Sequence, residues 1–257
     1  MLFKDQMLRD VFLENTPKRI ISLVPSQTEF LFDLGIDENV VGITKFCIYP
    51  ESWFRSKDRI GGTKSIDIEK VKLLRPDFII GNKEENTEAD ILELEKIAPV
   101  WMSDIYTLED SFSMMKTIGE IVGFKEKAVQ IVTEIETKFN NYKSYQGKKS
   151  VIYLIWNEPL MAAAKNTFID EILGIFGLKN YYQNENRYPL CVAEKDNYPD
   201  YIFLSSEPFP FKEEHKINIQ KLYPKSKLIL VDGEVFSWYG SRLKSAVDYF
   251  EELKNKL

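Results

Sequence analysis

The chain has 257 residues, 44% hydrophobic and 13% aromatic, with a formal net charge of -6. That apolar content can build a proper core and excludes intrinsic disorder, and the acidic balance excludes nucleic-acid binding, which needs a basic footprint. No apolar run approaches the roughly 18 residues of a membrane span, so membrane insertion is not expected.

At this length the chain forms one large domain or two lobes of about 100–130 residues each. Met1–Gln6 carries neither an apolar signal core nor a small-residue cleavage site. Either a secretory signal has been removed or the protein stays in the cytoplasm. Two cysteines, Cys47 and Cys191, one per expected lobe, rule out a disulfide scaffold and suit a reducing compartment.

In chain order, residues 3–13 read as a short hairpin. A buried strand over 19–24 leads to Ser26-Gln27-Thr28-Glu29, which reads as a capping box opening a helix that stops at Gly35. A strand at Val40–Ile43, a short helix at Asp67–Leu74, a strand at Phe78–Gly81, a helix at Thr87–Ile97 and a strand at Val100–Met102 follow. Thr107 caps a helix running to about Val122. Over 125–145, Ala128, Val132, Ile135, Phe139 and Tyr142 form one apolar stripe, which predicts a helical rod of roughly 30 Å. A second strand set starts at Ser150–Trp156, and Thr167–Asp170 opens a helix that ends near Gly177.

Two blocks say nearly the same thing. Arg75-Pro76-Asp77-Phe78-Ile79-Ile80 is echoed by Tyr198-Pro199-Asp200-Tyr201-Ile202-Phe203. In each, Pro-Asp ends a helical segment and a strand-length apolar run follows. The repeat predicts an α/β protein of two Rossmann-like lobes with central sheets, joined by one long rigid helix: 1–123, the connecting helix 124–147, and 148–257. Two lobes imply a cleft, the place for a ligand.

The chain resembles the class III substrate-binding proteins of ABC importers, the helical-backbone receptors for cobalamin, haem and ferric siderophores. The resemblance rests on Arg19-Ile-Ile-Ser-Leu-Val-Pro-Ser26 with Thr28-Glu29, on Gly61-Gly62-Thr63 followed by Ile68-Glu69 and Leu74-Arg75-Pro76-Asp77, and on the single inter-lobe helix. Tyr49-Pro50 matches the first-lobe Tyr-Pro of the cobalamin-binding branch. It implies a ligand held between the lobes, no catalysis, a periplasmic location and docking on a membrane permease. The docking glutamates that it implies are Glu69 in the first lobe and Glu194 in the second. Glu194 lies five residues before Pro199 where Glu69 lies seven before Pro76, so the second match departs from the pattern.

Loops after the strands are dense in aromatic and charged residues. They place Lys45, Cys47, Tyr49, Lys64, Lys83, Glu84, Trp156, Arg187, Tyr188, Glu207, Phe209, Glu234, Trp238, Tyr239 and Arg242 as candidate ligand contacts. Trp238 and Tyr239, with Phe236, are positioned to stack on a flat macrocycle that Trp156 faces from the second lobe; the plain alternative packs them under their loop. Arg242 binds a carboxylate or phosphate of the ligand or pairs with Glu234 or Asp232. The mixed charge suits a ligand with amide or polar substituents. Cys47 and His215, the only histidine, supply no metal cluster by spacing, and a buried or solvent-facing role fits both better than coordination.

No catalytic motif supports an enzyme. The expectation is therefore a monomer without cofactor, its ligand cobalamin or an iron chelate and its partner an ABC permease. Two alternatives stand beside it: a cytoplasmic relative that senses, stores or hands on such a ligand, and an enzyme using the same cleft.

Overall fold

The computed structural model describes residues 1–193 and 196–257. The chain forms two compact units. The first comprises 1–105, 109–137 and 239–244; the second comprises 106–108, 138–238 and 245–257.

The first unit opens with the antiparallel hairpin β1 (Leu2–Lys4) and β2 (Asp10–Phe12). There follow β3 (Ile20–Ser22), α1 (Pro25–Leu34), β4 (Val40–Ile43), α2 (Glu51–Ser56), β5 (Asp58–Arg59), the small hairpin β6 (Gly61–Gly62) and β7 (Ser65–Ile66), and α3 (Ile68–Leu74). β8 (Phe78–Asn82), α4 (Glu88–Leu94), β9 (Val100–Ser103), α5 (Leu108–Ile121) and α6 (Lys125–Asn141) follow, the last turn of α6 passing into the second unit. The main sheet has the order β5-β4-β3-β8-β9 and is parallel throughout. Every residue of β3, β8 and β9 is buried. Parallel strands covered on both faces by crossover helices are apolar along most of their length, and these are apolar up to a polar last residue, Ser22, Asn82 and Ser103.

The second unit contains β10 (Ser150–Trp156), β11 (Met161–Ala163), α7 (Phe168–Phe176), β12 (Lys179–Asn180), β13 (Tyr201–Ser205), α8 (Glu213–Leu222), β14 (Lys227–Val231), α9 (Gly233–Ser237) and α10 (Ala246–Lys254). Its sheet runs β11-β10-β13-β14, with β12 beside the start of β10. Only β11 is antiparallel to its neighbour.

Both sheets reverse their order of growth beside the first-laid strand. In the first unit β4 and β5 lie on one side of β3 and β8 on the other; in the second β13 lies across β10 from β11. The carboxyl ends of β3 and β8, and of β10 and β13, are thus switch points, where open α/β sheets bind ligands.

The Pro-Asp echo has one structural role in both places. Asp77, just before β8, accepts the backbone N–H groups of Lys18 and Arg19 at 2.8 Å each, holding the start of β3. Asp200, just before β13, accepts the Ser150 N–H at 2.8 Å, its hydroxyl at 3.0 Å and the Lys149 ammonium at 2.8 Å, holding the start of β10. Burial alone would raise the Asp200 pKa, but Lys149 and Ser150 outweigh it and hold the carboxyl below the ordinary range.

Two sequence expectations need correction. Ser26 does not cap α1: the N-cap is Val24, in extended conformation, and Pro25 already occupies the first helical turn. Proline suits that position because its missing N–H is one of the helix-start orphans anyway. The long helix also stops at Asn141, short of 145. Beyond it the Tyr145 N–H goes to the Phe176 carbonyl at 2.8 Å and the Ser144 hydroxyl to that of Ile175 at 2.8 Å, so the end of α7 captures the chain. Of the expected stripe, Ala128, Val132 and Ile135 are buried, joined by Ile131; Phe139 and Tyr142 are half-buried against Phe250. The caps expected at Thr167, Gly35 and Gly177 agree. Thr167 accepts the Asp170 N–H, and Gly35 and Gly177 end their helices at φ of 87° and 103°, a region open to glycine.

Candidate functional site

In the first unit, buried amides shape the carboxyl edge of the sheet. Gln27, in the first turn of α1, donates to the Gly81 carbonyl at 3.1 Å and to Ser103 Oγ at 2.7 Å. Asn82 donates to Ser103 Oγ at 2.9 Å and accepts the N–H groups of Glu84 and Glu85 at 2.8 and 3.1 Å. Asn86 accepts the Asn82 N–H and donates to the Thr63 carbonyl, both at 2.9 Å. A loop whose amides are satisfied in this way is fixed, and it turns Lys83, Glu84 and Glu85 outward. Lys83 pairs with Asp104 at 2.6 Å. The protein around Glu85 raises its pKa, with Glu84 adding to the effect and Lys64 opposing it. The side chain still keeps solvent access.

The loop after β4 divides its residues between the two sides. Thr44 and Cys47 turn inward; Lys45, Phe46, Ile48 and Tyr49 turn outward, Phe46 52% and Tyr49 40% exposed. Cys47 Sγ lies 3.1 Å from Thr28 Oγ1 and 3.2 Å from Thr44 Oγ1. Burial raises the thiol pKa, and the two threonine hydrogen bonds only partly offset it. The Lys45 ammonium sits 5.1 Å over the Phe46 ring, and Lys64 is exposed on the turn between β6 and β7.

The stretch 239–244 also belongs to this unit. The Arg242 guanidinium lies 4.6 Å over the Tyr49 ring and its Nε donates to Glu29 at 2.9 Å, a partner that the sequence reading did not name. Tyr239 is buried with Ser103 and Ser26 beside its hydroxyl, and burial raises its pKa.

In the second unit, Trp156 ends β10, 43% exposed, with its indole N–H on the Glu158 carbonyl at 3.1 Å and its ring 5.9 Å from Phe209. Arg187 has φ of 57°, unusual without glycine. Backbone bonds fix it there, its N–H to Lys165 at 2.8 Å and its carbonyl from Ala164 at 2.7 Å. Its guanidinium lies 5.8 Å from the Tyr106 ring and 5.6 Å from the Tyr188 ring. Glu207 is half-buried and accepts the Ser237 hydroxyl. Glu234 is half-buried in the first turn of α9.

The expected stacking surface of Phe236, Trp238 and Tyr239 is not displayed. Residues 233–237 wind into α9, and the Trp238 N–H continues the turn to the Glu234 carbonyl at 2.9 Å. That winding sends Phe236 into a buried cluster with Tyr153, Phe203 and Phe250 and leaves Trp238 only 7% exposed. Trp156 and Phe209 carry the open aromatic surface of this unit instead.

Glu69 stands exposed on α3, paired with Lys72 at 2.7 Å; Glu194 lies outside the described residues. Among the described residues no group of three or more His, Cys, Asp or Glu side chains is placed to hold a metal ion, and His215 Nδ1 is occupied by the Lys212 N–H at 2.9 Å. Sequence reading missed Tyr106, and it placed Asn82, Asn86 and Phe46 in the edge loops without giving them a role. One signal was present: the asparagines flank the Lys-Glu-Glu triplet.

Residues 20–222 match the profile of the periplasmic binding protein family. An ABC transporter substrate-binding lipoprotein of Bacillus subtilis, YvrC, is 28% identical over 187 residues, covering 68% of this chain and 59% of its own length. A vitamin B12-binding protein of Photorhabdus laumondii is 24% identical over 172 residues, covering 65% and 62%. The chain thus spans about 60% of the length of these curated relatives. The crystal structure of the petrobactin-binding protein YclQ from Bacillus subtilis superposes with a TM-score of 0.79 at 20% identity, over 99% of this chain and 97% of that one. This likeness establishes the fold.

Proposed function

Because the chain belongs to the periplasmic binding protein family, matched over 20–222, we propose that it captures a corrinoid or similar metal chelate, without chemical change, for an ABC-type uptake system. The observation that carries this reading is the nature of the carboxyl edge of each sheet at its switch point. Each presents open aromatic surface among charges of both signs: Phe46 and Tyr49 beside Lys45, Lys64 and Glu84 in the first unit, Trp156 and Phe209 near Glu207 in the second. Exposed apolar surface gathered among charged residues is the kind that marks a binding site. The names of the relatives, which bind vitamin B12 or a siderophore, support a chelate as the cargo.

Lys45, Lys64, Lys83 and Arg187 against Glu84, Glu207 and Glu234 favour a ligand rich in amides over a strongly anionic one. The potential nucleophile and base are both committed to the fold: Cys47 is buried with a raised pKa, and His215 serves as a helix cap. That commitment supports binding without catalysis. Glu69, exposed on α3, is the contact we assign to a permease.

The test is a screen of the purified chain against cyanocobalamin, cobinamide, haem and ferric siderophores, read by tryptophan quenching and thermal shift. Saturable quenching by one class is expected. No response to any of them overturns the reading.

A further inference from the structure

The chain's single histidine stands between a helix start and the open aromatic surface of the second unit. His215 is the third residue of α8, and its Nδ1 accepts the Lys212 backbone N–H at 2.9 Å. A backbone N–H can only donate, so Nδ1 is unprotonated and the ring proton is on Nε2. The neutral imidazole thus takes the place that Glu or Gln holds in a capping box. An imidazolium bears a proton on both nitrogens and cannot accept this bond.

The same ring packs edge-on against two phenylalanines. Its centroid is 5.1 Å from Phe209, at 82°, and 5.7 Å from Phe211, at 83°. Phe209 in turn meets Trp156 at 5.9 Å and 69°, and its N–H reaches the Ile155 carbonyl at 3.3 Å. Ring contacts therefore lead from the imidazole through Phe209 to the half-exposed Trp156.

We propose that neutral His215 is the positioning residue for the Phe209–Trp156 pair, and that protonation of its ring releases both, making this aromatic surface pH-sensitive. Two effects act together. Protonation removes the acceptor of the Lys212 N–H, and it sets a positive charge at the positive end of α8. On its own element the ring is accompanied by Lys212, Glu213, Glu214 and Lys216, with Lys216 paired to Glu213 at 2.8 Å. The two glutamates attract an imidazolium, but both are exposed and screened by solvent. The loop packed against the ring faces it with Phe209 and Phe211; its own carboxylate, Glu207, is held by Ser237. An effect on ligand capture rests on the function proposed above. The test uses the ligand-free chain and so stands apart from it.

The ring C–H resonances of the one histidine report its titration directly in the full chain, from about pH 8 to about pH 5. Over the same range, the difference in emission between wild type and Trp156→Phe isolates the Trp156 signal. The expected result is a Trp156 transition with the midpoint of the histidine resonances. His215→Gln keeps an acceptor for the cap but cannot titrate, so it should lose the transition and keep the high-pH emission. Phe209→Leu should lose the transition while His215 still titrates. A flat Trp156 signal through the histidine titration, or a transition that survives in His215→Gln, overturns the proposal.

Discussion

Arg242 and Glu29 meet at 2.9 Å across 213 positions of sequence, with side chains only 18% and 21% exposed. The pair joins the stretch after α9 to the outer face of α1, and a second pair, Lys244 with Asp33 at 3.0 Å, repeats the contact one helical turn on. Burial raises the Glu29 pKa, and Arg242 opposes that rise.

Arg242→Met should therefore cost about 1–3 kcal/mol of stability at pH 7, because it leaves a carboxylate largely buried without its cation. A carboxyl whose folded pKa lies above its unfolded value binds more protons folded than unfolded, so its contribution to stability falls as pH rises between the two. Without Arg242 that gap widens. Urea denaturation should show a smaller Arg242→Met penalty at pH 4 than at pH 7. Equal penalties would mean that the guanidinium acts through packing on Tyr49.

Gly119 lies where α5 meets α6, and a Cβ built on it would run into the Ala128 side chain. Gly119→Ala should destabilise the chain by about 1–3 kcal/mol through overpacking. Ala128→Gly in the same chain should recover part of that loss in thermal denaturation. A penalty unchanged by the second substitution would place the strain elsewhere.

Neither thiol should be reactive in the folded chain. Burial pushes the Cys47 pKa up, and it pushes that of Cys191 to about 12, so both stay protonated at pH 8. Thiolate is the reacting form, and labelling by a disulfide reagent should be at least ~100-fold slower in buffer than in urea. One fast equivalent in buffer would show that Cys191 is open.

For ligand capture, Trp156 is the side chain to test. Trp156→Ala should weaken binding of the responding chelate by about 1–3 kcal/mol with the melting temperature little changed. Trp238→Ala should do the reverse, lowering stability first, because that ring is buried. Fluorescence titration and calorimetry on the two variants separate the roles.

The parts of the fold legible in the sequence are those decided within a few residues. The strand at Ser150–Trp156, the Thr167 cap and the glycines at 35 and 177 each follow from neighbours in the chain. The Ser26–Glu29 box failed because Pro25 started the helix a step earlier and Glu29 was taken by Arg242, a partner no local window contains. Trp238 was misplaced for a similar reason. Whether an aromatic residue after a strand faces solvent depends on how the next turn winds, and α9 winds it inward. The edge loops were legible as places, since topology sets them at the carboxyl ends. Which of their side chains point outward was not.

The aspartates of the two Pro-Asp repeats hold the amino ends of the central strand pairs, at the far edge of each sheet from the aromatic loops. Strand register is thus set at one rim, and the loops proposed for recognition lie at the other. Loops at the recognition rim can change length and residue type without disturbing the clasp that aligns the strands. A change of cargo would then ask for new loops and leave the two aspartates as they are.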